Sequence, residues 1–132
     1  MNFWFAEKYA ARPRARYLSM TDFFFRLRNS FSDSASEEMQ NIVDHYVCCD
    51  LLLIDDLGAQ KNSEWSREVL YLLIDRRYRD VRPTIVTSNL TLDQISELID
   101  DRIASRLAEM GPVIRLEAGD DERVTAAFNT LH

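Results

Sequence analysis

Leu51-Leu52-Leu53-Ile54-Asp55-Asp56-Leu57-Gly58 is the stretch from which the rest of the chain can be read. Four apolar residues in a row suit a strand buried on both faces, as strands of parallel sheets are. Such a strand delivers its C-terminal residues to the sheet edge where ligands bind in open α/β folds. Two acids at that edge make a hard-oxygen site suited to Mg²⁺, which keeps several waters and takes one or two carboxylates. Asp55 would hold the metal through water, and Asp56 would orient or deprotonate an attacking water. Taken alone, the same residues equally describe a strand that ends in a solvated Asp-Asp turn.

Outward from this strand, helical and extended patterns alternate, which predicts an α/β fold with a mainly parallel sheet. Upstream, residues 2 to 11 read as a helix stopped by Pro13, and Arg16 to Met20 as a short strand. A helix capped by Thr21 follows, with Phe24, Leu27 and Phe31 at helical spacing. After a polar loop over 29–35, Ser34 and Glu37 form a capping box for a helix running to about Val47. Downstream, Trp65 to Asp80 is an amphipathic helix with Trp65, Val69, Leu72 and Leu73 facing inward. Thr84-Ile85-Val86-Thr87 is rich in β-branched residues and reads as a strand. Thr91 and Gln94 cap a helix that carries Leu92, Ile95 and Ile99. A helix through Ile103 and Leu107 stops at Gly111-Pro112. Val113 to Leu116 is a last strand, and the tail beyond Glu117 is acidic and then mildly helical.

With 132 residues and 46% apolar content, the chain suits one domain with a real core. No apolar run approaches the roughly 18 to 20 residues of a membrane span, and the N-terminus lacks signal-peptide character. The two cysteines, Cys48 and Cys49, are adjacent and too few for a closed zinc site, so buried reduced thiols and a cytoplasmic location are expected. A net charge of −6 argues against a surface devoted to nucleic acid. Yet Arg12, Arg14, Arg16, Arg26 and Arg28 crowd the first thirty residues, leaving room for a local basic face.

Two further constellations bear on chemistry. Thr87-Ser88-Asn89-Leu90 ends its strand in small polar residues at the same sheet edge as Asp55. The Asn89 amide there can hydrogen-bond a γ-phosphate or an attacking water, although Ser-Asn-Leu-Thr is also ordinary turn and cap chemistry. Arg102 and Arg106 lie four apart on one helix face. Either they reach a neighbouring subunit's phosphate, as arginines do in many phosphoryl-transfer enzymes, or they form surface ion pairs with Asp101 or Glu109.

These three constellations stand in a consistent order. With Gln60, Glu64-Trp65, Arg76-Arg77-Tyr78 and Arg82-Pro83-Thr84, the chain from about residue 16 to 124 resembles the DnaC/DnaI/IstB group of AAA+ proteins, the helicase loaders and transposition helper ATPases. The resemblance implies a three-layer P-loop NTPase core and an ATP-hydrolysing, DNA-acting protein with ATP and Mg²⁺ as cofactors. It makes Asp55 the Walker B metal acid, Asp56 the catalytic acid, Asn89 sensor 1 and Arg106 the arginine finger. Asp121-Glu122-Arg123 stands where relatives show Asp-Tyr-Arg, so Arg123 corresponds to sensor 2. Phe23, Phe24, Arg26 and Arg28 fall in the region resembling the loader-specific insertion, which in the family faces single-stranded DNA. There Phe24 suits the core, and Arg26 and Arg28 suit phosphate contact. The implied partners are further copies of the chain, single-stranded DNA, and a replicative helicase or transposase, with no membrane.

No Gly-x-x-x-x-Gly-Lys-Ser/Thr occurs; the glycines are at 58, 111 and 119. The family's loop would precede the first helix, so the expectation is a partial AAA+ domain over 1–132. Its parts would be a remnant of the first helix at 1–15, the core at 16–116 and a sensor-2-like tail at 117–132. The backbone cradle and lysine for phosphate are then absent, and the chain alone is expected to bind ATP weakly or not at all and to be inactive. The alternative is a catalytically inactive interaction module that keeps oligomer and partner surfaces. The family's missing first strand would lie between Thr84–Thr87 and Val113–Leu116. The latter strand is therefore expected either to close on Ile85 or to detach.

Overall fold

The structure is a computed structural model that describes residues 14–29, 35–118 and 121–126, with the side chains of 35, 36, 38 and everything from 117 onward outside the description. The helix expected over 2–11, Arg12, Phe31 and the Ser34 cap all lie outside the described residues.

The elements in order are β1 (Ala15–Ser19), α1 (Met20–Asn29), α2 (Ala35–Val47), β2 (Leu51–Asp55), α3 (Glu64–Arg79), β3 (Thr84–Ser88), α4 (Leu92–Leu98), α5 (Asp101–Met110), β4 (Val113–Ala118) and β5 (Asp121–Ala126). The fold is α/β with a parallel β1–β2–β3 core, as the alternating pattern predicts. Ser19 pairs with Asp55, and Ile54 with Val86, so the C-terminal ends of the three strands share one edge.

The sheet's other side corrects two expectations. The strand order is β1-β2-β3-β5-β4. Val113–Leu116 neither closes on Ile85 nor detaches, because β5, read from the sequence as mildly helical, lies between them. It pairs antiparallel with β3 through Val86↔Ala126 and Ser88↔Val124, and with β4 through Val113↔Ala126 to Ala118↔Asp121. The physical reason is the open edge of β3, whose backbone donors and acceptors need partners. The two intervening residues, Gly119-Asp120, have hairpin-turn chemistry.

Apolar faces of all five helices join Leu18, Leu52, Ile54 and Val86 in a single core. Alternation is strict along β2 and β3. Leu52, Ile54, Thr84, Val86 and Ser88 are buried, while Leu53, Asp55, Ile85 and Thr87 are half-buried. The apolar run at Leu51 to Ile54 is thus buried deeply on one face and only partly on the other, contrary to its reading as buried on both. Phe24 is a core residue, as expected, packed edge-on against Phe23 and Trp65.

Helix α3 begins at a Ser63 cap that exchanges hydrogen bonds with Ser66. It buries Val69, Leu70, Leu73 and Ile74 but exposes Leu72. The stripe is centred on Leu70 and Leu73, which turns Leu72 to solvent. Helix α4 carries the expected Thr91–Gln94 capping box, and α5 stops before Gly111-Pro112.

Arg77 on α3 is fully buried. Its Nη1 donates to the carbonyls of Tyr46, Val47 and Cys49 at 3.0, 3.0 and 2.8 Å, and its Nη2 to that of Pro83 at 2.7 Å. Nε donates to the Thr84 hydroxyl at 2.8 Å. One guanidinium therefore satisfies the last carbonyls of α2 and ties them to the start of β3. Burial pulls its pKa down, and the adjacent Cys49 thiol is itself pushed up by burial. Cys49 is buried as expected, but Cys48 is exposed.

Replacing Arg77 with Leu orphans these acceptors and is expected to cost about 3 kcal/mol or more. Arg76→Leu, which removes a half-exposed ion pair to Asp44, should cost less than about 1 kcal/mol. Urea unfolding followed by tryptophan fluorescence compares the two, and equal losses would contradict this account of Arg77.

Candidate functional site

The parallel register brings Asp55, Asp56 and Asn89 to one corner of the sheet. Asp55 closes β2 with its side chain half-buried. Its Oδ2 accepts from the Tyr17 hydroxyl on β1 at 2.6 Å, and its Oδ1 from the Thr87 hydroxyl on β3 at 2.5 Å. The Thr87 oxygen in turn accepts from the Asp56 backbone N–H at 3.2 Å. One carboxylate thus bridges three neighbouring strands, held in orientation from both sides.

Asp56 takes φ 61°, in the left-handed region that Asp tolerates better than most residues. That turn leaves its side chain exposed beyond the strand. The chain is then pinned: the Leu57 N–H donates to the Thr87 carbonyl at 2.9 Å, and the buried Ser88 hydroxyl to the Leu57 carbonyl at 2.5 Å. Gly58 follows at φ 106°. Its N–H donates to Gln60 Oε1 at 2.8 Å, and a Cβ there would meet Leu90 Cδ1 at 2.7 Å. Asn89, one residue past β3, is exposed, and its amide makes no hydrogen bond among the described residues.

Among the described residues no cluster of three or more His, Cys, Asp or Glu forms a metal cage. An Mg²⁺ site of one or two carboxylates with waters does not need one. The donors present at this corner are all oxygens, which fits that ion.

Arg106 stands apart from this corner, on the face of α5 that meets α3. Its Nε donates to Asp75 Oδ1 at 3.1 Å, its guanidinium lies 4.7 Å from the Tyr78 ring centre, and Glu109 is 4.0 Å from Nη1. The hydrogen bond to Asp75 chiefly holds its pKa above the ordinary value. Arg102 stacks at 4.1 Å on Tyr71 and pairs with Glu68 and Asp100 at 2.7 and 2.8 Å, not with Asp101. Hydrogen bonding to Arg102 depresses the Asp100 pKa, and Asp100 also caps α5. Arg26 and Arg28 are exposed on α1. Arg26 borders a cleft of about 570 Å³ between α1 and α2, beside Phe25, Ile42 and His45. Arg123 sits on β5, opposite Leu116, with its side chain outside the description.

Residues 8–109 match the family described as IstB-like ATP binding protein. The chain belongs to the IstB-like family. Within its wider neighbourhood the chain is similar to the replicative helicase loader DnaC of Escherichia coli K12, at 26% identity over 90 residues, covering 68% of this chain and 36% of the loader. The DnaC of Buchnera aphidicola subsp. Baizongia pistaciae is 23% identical over 90 residues, covering 68% and 37%. The uncharacterized protein YdaV of Escherichia coli K12 is 27% identical over 94 residues, covering 71% and 37%. The chain therefore spans little more than a third of the length of these relatives. The IstB-like assignment agrees with the α/β fold and makes ATP the ligand class of the family. No helix among the described residues is long and apolar enough to cross a membrane.

The sequence places Thr87 at the sheet edge of Asp55 but not as its donor, and it gives Tyr17 no role at the site. The signal was present in the register, since Thr87 occupies the β3 position beside Asp55, but register is not visible along one chain.

Gly58→Ala should destabilise the protein by about 1–3 kcal/mol through strain at positive φ and contact with Leu90, read from the urea midpoint. The Tyr17 hydrogen bond raises that phenol's pKa. Because the folded state favours the protonated phenol, the contact stabilises below the ordinary tyrosine range and fades as pH climbs through the raised value. Tyr78 is raised likewise by its hydrogen bond to Glu109, so ultraviolet titration should show two late-ionising tyrosines, of which only Tyr17 returns toward the ordinary range in Asp55→Asn.

Proposed function

We propose that this chain carries the acid edge and the trans-acting arginine of an AAA+ ATPase that works on DNA beside a replicative helicase or a transposase. The observation that carries the reading is Asp55, clamped by two hydroxyls at the C-terminal edge of a parallel sheet, with Asp56 following it and Asn89 one residue past β3 at the same edge.

In this reading Asp55 holds waters of the metal shell, and the fixed geometry spares it reorientation as charge develops. Mg²⁺, when bound, would neutralise charge on the β- and γ-phosphates. Asp56, exposed beyond its left-handed turn, orients the attacking water. Asn89, whose amide makes no hydrogen bond among the described residues, offers it to the γ-phosphate or that water. Arg106 serves the nucleotide of a neighbouring copy, Arg123 is the sensor-2 arginine, and Arg26 and Arg28 contact the phosphates of single-stranded DNA.

A second reading is a catalytically inactive interaction module. The absence of a Gly-x-x-x-x-Gly-Lys-Ser/Thr loop from the sequence favours it for the 132 residues by themselves. Isothermal titration of the chain with Mg-ATP should show no micromolar binding. A form extended by the upstream coding sequence should hydrolyse ATP under the first reading and stay inert under the second. In the active form, Asp56→Asn should lower kcat by about a hundredfold or more, and Arg106→Ala by about a thousandfold. Mixing those two variants should restore turnover, since each lacks a different half of a shared site. No recovery on mixing would rule out an arginine acting across subunits.

A further inference from the structure

Beside the apolar core that α3 and α5 share, their contact carries a ladder of charged and aromatic groups. Arg102 lies over Tyr71 and Arg106 over Tyr78, while Tyr78 donates its hydroxyl to Glu109. At its centre is Asp75, a carboxylate whose side chain is only 6% exposed. It accepts from Arg106 Nε at 3.1 Å and pairs with Arg79 Nε at 3.0 Å. A carboxylate this buried is normally retained for a paired cation.

The way Arg106 is held matters more than the fact of the pairing. Its inner edge is taken by Asp75 through Nε, and one face of its plane by the Tyr78 ring. Tyr78 is itself fixed by Glu109, so the clamp cannot swing freely. Glu109 lies 4.0 Å from Nη1, beyond hydrogen-bond range, and nearly a third of the Arg106 side chain remains exposed. An arginine gripped by Nε keeps its terminal nitrogens for a second, bidentate anion.

We propose that Asp75 and Tyr78 are the positioning residues of Arg106, holding its guanidinium by one edge and one face so that its terminal nitrogens are presented to a phosphate on a neighbouring copy. The phosphate end of this inference rests on the trans-acting role of Arg106 proposed above; the clamp itself does not. Holding the fork rigid removes the entropy that a free side chain would lose on engaging the anion. Asp75 also couples the arginine on α5 to α3, the helix that follows Asp56 in the chain and starts eight residues after it.

Two measurements test this. Arginine side-chain NMR on the 132-residue chain should show a slowly exchanging Arg106 Nε–H. It should be lost in Asp75→Ala, weakened in Tyr78→Leu and kept in Arg79→Ala, which removes only the exposed partner of Asp75. An Arg106 Nε–H that exchanges as fast as that of exposed Arg28 in the unaltered chain would overturn the clamp. In the upstream-extended form, Asp75→Ala should lower kcat about ten- to a hundredfold with KM unchanged, Asp75→Asn should fall between, and Arg79→Ala should match the unaltered protein. Mixing Asp75→Ala with Asp56→Asn protomers should restore turnover, which a fold defect confined to its own protomer would not allow. If Arg106→Ala is harmless, the trans-acting role fails, and with it the phosphate end of this proposal. If Arg106→Ala abolishes turnover while Asp75→Ala does not, the positioning role alone is overturned.

Discussion

A guanidinium sealed from water must be given an oxygen for nearly every N–H it carries, and Arg77 meets that demand by gathering three segments around itself. The end of α2, the approach to β2 and the start of β3 all turn carbonyls or a hydroxyl toward it. Leaving such a charge poorly solvated would be far costlier than leaving a neutral group so. The N-terminal ends of β2 and β3 are thereby brought level beneath the sheet. Their C-terminal ends, five residues further on, then fall level at the opposite edge, where Asp55 meets Thr87.

The acid corner inherits its geometry from that alignment. Shifting β3 by one residue would turn Thr87 to the other face. Asp55 would lose a donor, and the Ser88 hydroxyl would no longer reach the Leu57 carbonyl. The site is thus assembled from short polar residues at strand ends whose hydrogen bonds depend on a register set some 15 Å away. Two neutral hydroxyls, of Tyr17 and Thr87, orient Asp55, while Arg102, Arg106, Glu68 and Asp75 pair in the α3–α5 ladder.

Much of this was legible along the chain. The Leu51–Asp55 strand, the β-branched Thr84–Thr87 strand, the Thr91–Gln94 capping box and the Gly111-Pro112 stop each carry a local signal, and each lies where that signal puts it. What one chain conceals is pairing. Tyr17 reads as an ordinary strand residue, and only the β1 pairing sets it beside Asp55; only the packing of α5 buries Asp75. Arg102 illustrates the same limit, since its ion pairs to Glu68 and Asp100 cross elements or run back along the chain, where Asp101 was the nearer guess. The tail was a different kind of miss. The segments on either side of residues 119–120 hold β-branched residues, a strand signal that the acidic run there overlies.

β5 occupies the position beside β3 with its own backbone, antiparallel to the three strands before it. A sheet position admits one strand at a time. Any other segment seeking that edge, parallel or not, must first evict β5 and break its pairing to both neighbours, so entry there is an exchange rather than an addition. The hairpin that completes the sheet thereby makes the edge of β3 a contested place.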